Sequence, residues 1–239
     1  MKPVTLITGA SRGIGLGIAR RLARDGHRVV NLSRSNPPAD FPGISYAVDL
    51  ADADAAGRAL ASTAQEHAVD NLINNAALIR VGALEKITAE ELQEQIDLNI
   101  RAAILCAQAV LPSMRAKRRG RIVNIGSRAA LGKEGRSIYG ATKAAIASLT
   151  RTWALELARD RITVNAIAPG PIETELFREN SPADSPQVKA LIAAVPLGRI
   201  GQPADVAAAA AFFVSDEASF ITGQVLYVCG GLSIYSAPM

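Results

Sequence analysis

The 239-residue chain is long enough for one large domain, and an apolar fraction of 49% supplies a sizeable core. A net charge of +4 is mild: it suits an anionic cofactor as well as a nucleic acid and selects neither. Two isolated cysteines, Cys106 and Cys229, argue against a disulfide scaffold, and two distant histidines, His27 and His67, form no metal-ligand motif.

Met1-Lys2-Pro3 leads straight into Val4-Thr5-Leu6-Ile7, a short β-branched run, with no signal-peptide pattern. Leu16 to Asp25 follows with Ile18, Ala19, Leu22 and Ala23 at helical spacing. Between them lies Thr8-Gly9-Ala10-Ser11-Arg12-Gly13-Ile14-Gly15, so the order is strand, glycine loop, helix. Such a loop lets backbone approach a pyrophosphate, and the helix start offers free N–H groups and the positive end of a dipole. Gly9, Ser11, Arg12, Gly13, Ile14 and Gly15 are therefore candidate cofactor contacts. The spacing is T-G-x-x-x-G-x-G rather than G-x-G-x-x-G, and on its own it is also an ordinary tight turn.

His27 to Leu32 is a second apolar strand, and Pro37-Pro38 blocks its continuation. A carboxylate at this strand end would bind the ribose 2′-OH of NAD; Ser33-Arg34-Ser35 stands there instead. Arg34, together with Arg12 of the loop, offers planar forks suited to the 2′-phosphate of NADP. NADP(H) is thus expected ahead of NAD(H), two solvated arginines being the plainer reading. Ile44 to Val48 is a third strand, ending at Asp49-Leu50; Asp49 is also placed to cap the helix from Asp52 to Glu66. Asn71 to Asn75 is the next strand, opening into Ala76-Ala77.

Thr88 and Glu91 form a capping box at the head of a long helix, with Leu92, Ile96, Asn99 and Ala103 along one face. Asn99 is polar in that apolar row. The helix is expected to end in Met114-Arg115-Ala116-Lys117-Arg118-Arg119-Gly120, where cations complement the dipole and glycine is the stop. No aromatic residue interleaves this run, so it reads as a solvated helix end and not as a nucleic-acid site. Arg121 to Ile125 is a strand that delivers Gly126-Ser127 at its C-terminal end, where open α/β sheets place ligands. Twelve residues after Ser127 comes Tyr139-Gly140-Ala141-Thr142-Lys143, with Tyr139 and Lys143 on one helix face.

In order, then, stand T-G-x-x-x-G-x-G, Asn74-Asn75-Ala76-Ala77, Asn99, Ser127 and Y-x-x-x-K. Over essentially its whole length the chain resembles the short-chain dehydrogenase/reductase family, nearest to the 3-oxoacyl-(acyl carrier protein) reductase type. The resemblance implies a single-domain Rossmann-type α/β fold, a doubly wound parallel sheet with helices on both faces. Its cofactor half would be about 1–120, its catalytic and substrate half about 121–239, and its lid about 173–200. It implies Asn99, Ser127, Tyr139 and Lys143 as catalytic residues, Asn99 holding a water near Lys143 through its backbone. Ser33, Arg34, Asp49 and Leu50 would meet the adenosine side of the cofactor, and Asn75, Ala76 and Ala77 would be further cofactor contacts. Ala77 replaces a usual glycine, which implies φ below zero or room for a methyl group.

Ala168-Pro169-Gly170-Pro171-Ile172-Glu173-Thr174 is similar to the family's P-G-x-I-x-T. Pro169 and Gly170 would shape the nicotinamide end, the Ile172 backbone would hold the carboxamide, and Thr174 would reach carboxamide or phosphate. Glu175 to Val195, interrupted by Pro182 and Pro186, would be the lid. The small residues Ala141, Ala144, Ala145, Ala147 and Ser148 would join the preceding long helix in the interface of a homotetramer; the alternative is burial within the subunit. Cys229 stands before Gly230-Gly231 where the family often has Asp or Asn, a departure expected to alter a subunit contact.

Reducing a ketone requires hydride at carbon and a proton at oxygen. Tyr139 would donate the proton, and Ser127 would hold the carbonyl beside it. Lys143 would bind the nicotinamide ribose and, with the oxidised nicotinamide, make the phenol more acidic. The expected function is an NADPH-dependent carbonyl reductase giving a secondary alcohol. Acyl-carrier-bound substrates are one option, through Arg121 and Arg161, and Ile79, Leu131, Leu176 and Phe177 point to an apolar substrate. The alternatives are an NAD-dependent dehydrogenase of a small alcohol or sugar, and a non-catalytic cofactor sensor, which would have no use for an intact Ser127, Tyr139 and Lys143. The longest strongly apolar run, Val206 to Val214, is too short for a bilayer, so a cytoplasmic protein without membrane, metal or nucleic-acid partners is expected.

Overall fold

The computed structural model describes residues 2–180, 182 and 185–234, without the side chains of Leu176 and Asn180. The chain opens with β1 (Val4–Thr8), α1 (Gly13–Arg24), β2 (Arg28–Ser33) and β3 (Gly43–Ala47). There follow α2 (Ala53–Glu66), β4 (Asn71–Asn74), α3 (Ala89–Ile96), α4 (Ala102–Lys117) and β5 (Gly120–Ile125). The second half holds α5 (Ser137–Leu157), β6 (Ile162–Pro169), α6 (Glu175–Asn180), α7 (Pro186–Ala194), α8 (Pro203–Val214) and β7 (Val225–Val228). The strands form one parallel sheet in the order β3-β2-β1-β4-β5-β6-β7.

Alternate residues of each strand face opposite helical layers. Ile7, Val29, Ile73, Val123 and Ile167 pack against Ile18 and Leu22 of α1 and Val206 and Phe213 of α8. Leu6, Val30, Leu72, Ile122 and Val164 pack against Leu60 of α2, Cys106 and Val110 of α4, and Leu157 of α5. The register puts Leu6 beside both Val30 and Leu72, so each layer is continuous across the sheet. Gly17 lets α1 and α8 touch: a Cβ there would lie 2.8 Å from Pro203 Cβ. The order reverses between β1 and β4, which leaves a crevice above Thr8 and Asn74, the place where such sheets bind ligands.

Several local expectations are corrected. The cap of α2 is Asp52, which accepts from the amides of Asp54 and Ala55; Asp49 accepts from Ala51 in the turn before it. The long helix is split, with α3 and α4 joined by a π-helical turn at Asp97–Arg101. The capping box at Thr88 and Glu91 is present. α4 ends on Arg118 in the left-handed region (φ 48°), not on glycine. Gly120 instead begins β5 beneath Met114, where a Cβ would meet its Sδ at 2.6 Å. In the basic run Arg115 pairs with Asp160 at 2.9 Å, Lys117 with Asp70 at 2.7 Å and Arg119 with Asp216 at 3.0 Å. Pro186 starts α7 under the Ser185 cap and does not interrupt a helix. Residues 181, 183 and 184 of the expected lid lie outside the described residues.

Candidate active site

The glycine loop lies where the crevice opens. Gly9 (φ 69°) and Gly13 (φ 57°) adopt backbone conformations that side chains disfavour, and a Cβ on Gly9 would sit 3.0 Å from Ala76 Cα. A Cβ on Gly15 would strike the Gly9 carbonyl and approach Asn75 Nδ2 to 2.6 Å. Asn75 Nδ2 donates to the carbonyls of Thr8 (2.9 Å) and Gly9 (3.0 Å), while Thr8 Oγ1 accepts from the amides of Asn75 and Ala76 (3.0 Å each). β1 and β4 are thus tied together under the loop. Arg12 precedes α1 and makes no side-chain cap, so the helix start, with Gly13 and Ile14, is open to an anion. These features fit a dinucleotide pyrophosphate. Ser11 is half-buried beside them, and Ala77 has no positive φ, the first of the two expectations for it.

At the end of β2, Ser33 is buried and its hydroxyl donates to the Ser35 carbonyl at 2.9 Å. It supports the strand end from within, so any Ser33 contact with a ligand falls to its backbone. Asn31 carries a larger role that the sequence did not signal beyond a polar residue in an apolar strand. Its Oδ1 accepts from the Ala10 amide at 2.8 Å, and its Nδ2 donates to Ser33 Oγ and Ser45 Oγ, both at 2.8 Å. Arg34 is exposed, with a guanidinium nitrogen 3.9 Å from Asp49; Arg12 stands 3.9 Å from Glu179 of α6. Leu50 is buried.

The reacting groups gather at the end of β5. Ser127 precedes a short helical turn, Arg128–Leu131, and its Oγ accepts from the Ala129 amide at 3.1 Å. Tyr139 and Lys143 lie on the first turns of α5, with Lys143 Nζ 5.7 Å from the centre of the tyrosine ring. Lys143 is 3% exposed and donates to the Ile125 carbonyl at 2.8 Å. Burial brings its ammonium down from 10.5 to about 8. Burial pushes the Tyr139 phenol up, opposed by a hydrogen bond from Ser127 and by the charge of Arg136. In the chain without cofactor, burial thus favours the protonated phenol, the form a proton donor needs.

Asn99 sits in the π turn, 2% exposed. Its Nδ2 donates to the Leu78 carbonyl (2.9 Å) and Thr142 Oγ1 (3.0 Å), and its Oδ1 accepts from the Leu78 amide (2.7 Å). Thr142 was not singled out from sequence, yet it links Asn99 to α5. A cavity of about 10 Å³, lined by Thr8, Asn74, Asn99 and Lys143, is of the size that holds one water. Across β6, Ile172 is buried and bridges to Gly201. Thr174 touches Gly13, where a Cβ would meet its Cγ2 at 3.3 Å, and its Oγ1 accepts from the Phe177 amide. The Pro169-Gly170 segment lies against Cys229: a Cβ on Gly170 would approach Cys229 Cβ to 2.7 Å. Cys229 is 7% exposed and packs inside the chain.

One sequence-based assignment fails here. Arg121 is 4% exposed, paired with Asp216, and begins β5 at the edge opposite the site. Arg161 precedes β6 at that same far edge. Burial removes Arg121 from the carrier-protein role expected of it, while Arg161 is exposed. Leu131 is exposed at the mouth, while the side chain of Leu176 lies outside the described residues.

A family model described as enoyl-(acyl carrier protein) reductase matches residues 9–233. The chain belongs to the short-chain dehydrogenase/reductase family. Over 238 residues it is 37% identical to the 3-oxoacyl-(acyl-carrier-protein) reductase FabG of Vibrio cholerae, covering 96% of each chain. It is also 37% identical to BbsD of Thauera aromatica, a subunit of (2S)-((R)-hydroxy(phenyl)methyl)succinyl-CoA dehydrogenase, over 98% of this chain and 97% of that one. The solved aldohexose dehydrogenase of Thermoplasma acidophilum superposes with a TM-score of 0.91 at 33% identity, covering 100% and 98% of the two chains. ElxO with NADP bound superposes with a TM-score of 0.91 at 28% identity, covering 98% of this chain and 100% of that one. The protein is an oxidoreductase acting on CH–OH and C=O groups. Among the described residues no helix is long and apolar enough to cross a membrane, and no cluster of His, Cys, Asp and Glu could hold a metal ion.

Proposed function

We propose that this protein reduces a ketone to a secondary alcohol with NADPH. The observation that carries the reading is the convergence of Ser127, Tyr139 and a buried Lys143 beside the open helix start of the glycine loop. Bound NADPH would supply the hydride. Ser127 donates to the substrate oxygen and sets the carbonyl next to Tyr139, whose O–H gives up its proton as negative charge develops there. Lys143 is positioned to hold the nicotinamide ribose and to stabilise the phenolate left behind, and Asn99 keeps the water-sized cavity beside it in place. Asp49 and Leu50, with Asn75, Ala76 and Ala77, serve the adenosine side. Pro169, Gly170, Ile172 and Thr174 serve the nicotinamide side.

NADP is favoured because no carboxylate follows Ser33 at the end of β2, while the exposed Arg34 and Arg12 flank that point. The exposed Ala141, Ala144 and Ser148 leave α5 a close-packing outer face, which supports assembly as a homotetramer. Two assays test the reading. Tyr139→Phe should lower kcat about a hundredfold or more while the protein still binds NADPH. Undiminished reduction by that variant removes the assigned acid, and tighter binding of NADH than of NADPH removes the roles of Arg12 and Arg34.

A further inference from the structure

Arg21, Arg101, Arg119, Arg121 and Arg178 are buried or half-buried, and each has a carboxylate at 2.5–3.4 Å. Desolvated cations need such partners. Arg128 and Arg136 are also half-buried, and among the described residues neither has a carboxylate within ion-pair distance. Both flank the reacting residues along the chain, and the charge of Arg136 acts on Tyr139. Arg128 follows Ser127, and Arg136 is the residue before α5, three before Tyr139. Between them the loop turns at Gly132 (φ 106°) and Gly135 (φ 67°) and carries Lys133, which likewise has no such partner. The loop's single acid, Glu134, is exposed.

Across the opening, no carboxylate of the described residues stands within ion-pair distance of these cations. Gly82 N donates to the Gly135 carbonyl at 3.2 Å, so the segment after β4 closes against this loop. Of its charged residues, Arg80 pairs with Glu94 at 2.8 Å, while Glu85 and Lys86 are exposed further along it. The polar contact of Arg136 is a 3.3 Å bond from Nη1 to the carbonyl of Gly135. Lys133 is exposed between Arg128 and Arg136, three cations thus standing within nine residues.

We propose that Arg136, assisted by Lys133 and Arg128, binds an anionic group carried by the substrate near its reacting carbonyl, a carboxylate or a phosphate ester. The inference rests on the reductase reading of Ser127, Tyr139 and Lys143 and names the substrate class for it. A guanidinium at the head of α5 adds to the positive end of that helix, so an oxyanion placed there gains from both. The same charge turns the substrate so that its carbonyl faces Ser127 and Tyr139.

The test compares matched pairs by oxidation of NADPH: 3-oxobutanoate and 4-oxopentanoate against their methyl esters, and dihydroxyacetone phosphate against dihydroxyacetone. In at least one pair the anion should exceed its neutral partner about tenfold or more in kcat/KM, through KM. The pair that does so separates carboxylate from phosphate. Added salt should raise KM for the anion and leave the neutral partner's unchanged. Arg136→Gln should bring the ratio close to one, Arg136→Lys should keep part of it, and Lys133→Gln should lower it by a smaller factor. Neutral members turned over as well as the anions overturn the inference, as does a ratio unchanged in Arg136→Gln. A fall in kcat that is equal for both members also overturns it, since Arg136 would then act only on Tyr139. No turnover with any ketone refutes the reductase reading itself, and the inference falls with it.

Discussion

Replacing Lys143 with methionine should stabilise the cofactor-free protein at neutral pH while abolishing carbonyl reduction. An ordinary lysine titrates at 10.5 and this one at about 8, because burial penalises its charge. Where native and unfolded chains are both protonated, that difference costs the native state about 3 kcal/mol. Methionine fills nearly the same volume but cannot donate to the Ile125 carbonyl, now 2.8 Å from Nζ, a loss of about 1 kcal/mol. The expected net gain at pH 7 is about 2 kcal/mol. The sign then follows from linkage. The folded pKa lies below the unfolded one, so between about 8 and 10.5 the unfolded chain binds more protons. Wild-type stability therefore rises with pH relative to the variant. The penalty is complete below about 8 and gone above 10.5, and by pH 9.5 the variant's advantage should have shrunk by about 2 kcal/mol. Urea unfolding of both proteins at pH 7 and pH 9.5 measures this directly. A variant less stable than wild type at pH 7, or a gap of equal size at both pH values, would refute the reasoning.

Gly15→Ala should cost about 2 kcal/mol or more and weaken NADPH binding, because the new methyl meets the Gly9 carbonyl and Asn75 Nδ2; thermal melts with and without cofactor show both effects. Asn31→Ala leaves the Ala10 amide without its 2.8 Å acceptor and should cost about 2 kcal/mol in urea. Thr150→Val removes the acceptor for Asn124 Nδ2 (2.9 Å) and the bond to the Ile146 carbonyl (2.8 Å). It should destabilise by about 2 kcal/mol although the side chains match in shape.

The fold was legible because its signals are local and repeated. Apolar strands buried on both faces read as continuous runs, and the helices between them carried caps or glycines where the chain turns. The site was legible where chemistry demands a residue type at fixed spacing, as with Tyr139 and Lys143 on one helix face. What escaped depends on which way a side chain points across strands distant in sequence. Arg121 reads as a basic residue on a strand edge, and only the packing against Asp216 reveals it as buried. Asn31 and Thr142 show no local pattern for their bonds to Ala10 and Asn99, which span 21 and 43 residues. The π turn at Asp97–Arg101 shifts the helix phase without any glycine or proline to announce it.

One face of α5 explains why the reacting groups stand where they do. Thr142, Lys143, Ile146 and Thr150 follow one another at helical spacing along its buried side. Thr142 accepts from Asn99 and Lys143 donates to the end of β5. Thr150 accepts from Asn124, which in turn accepts from Asn74 at 2.9 Å. These bonds fix the rotation and the height of the helix against the sheet, which apolar packing alone would leave free to slide. Lys143 is desolvated because it belongs to that face. Tyr139, one turn earlier, is half-buried, with Ser127 near enough to lower its phenol against the upward push of burial. The buried charge that weakens the fold and the protonated phenol that serves the reaction thus have a common origin in how α5 is seated.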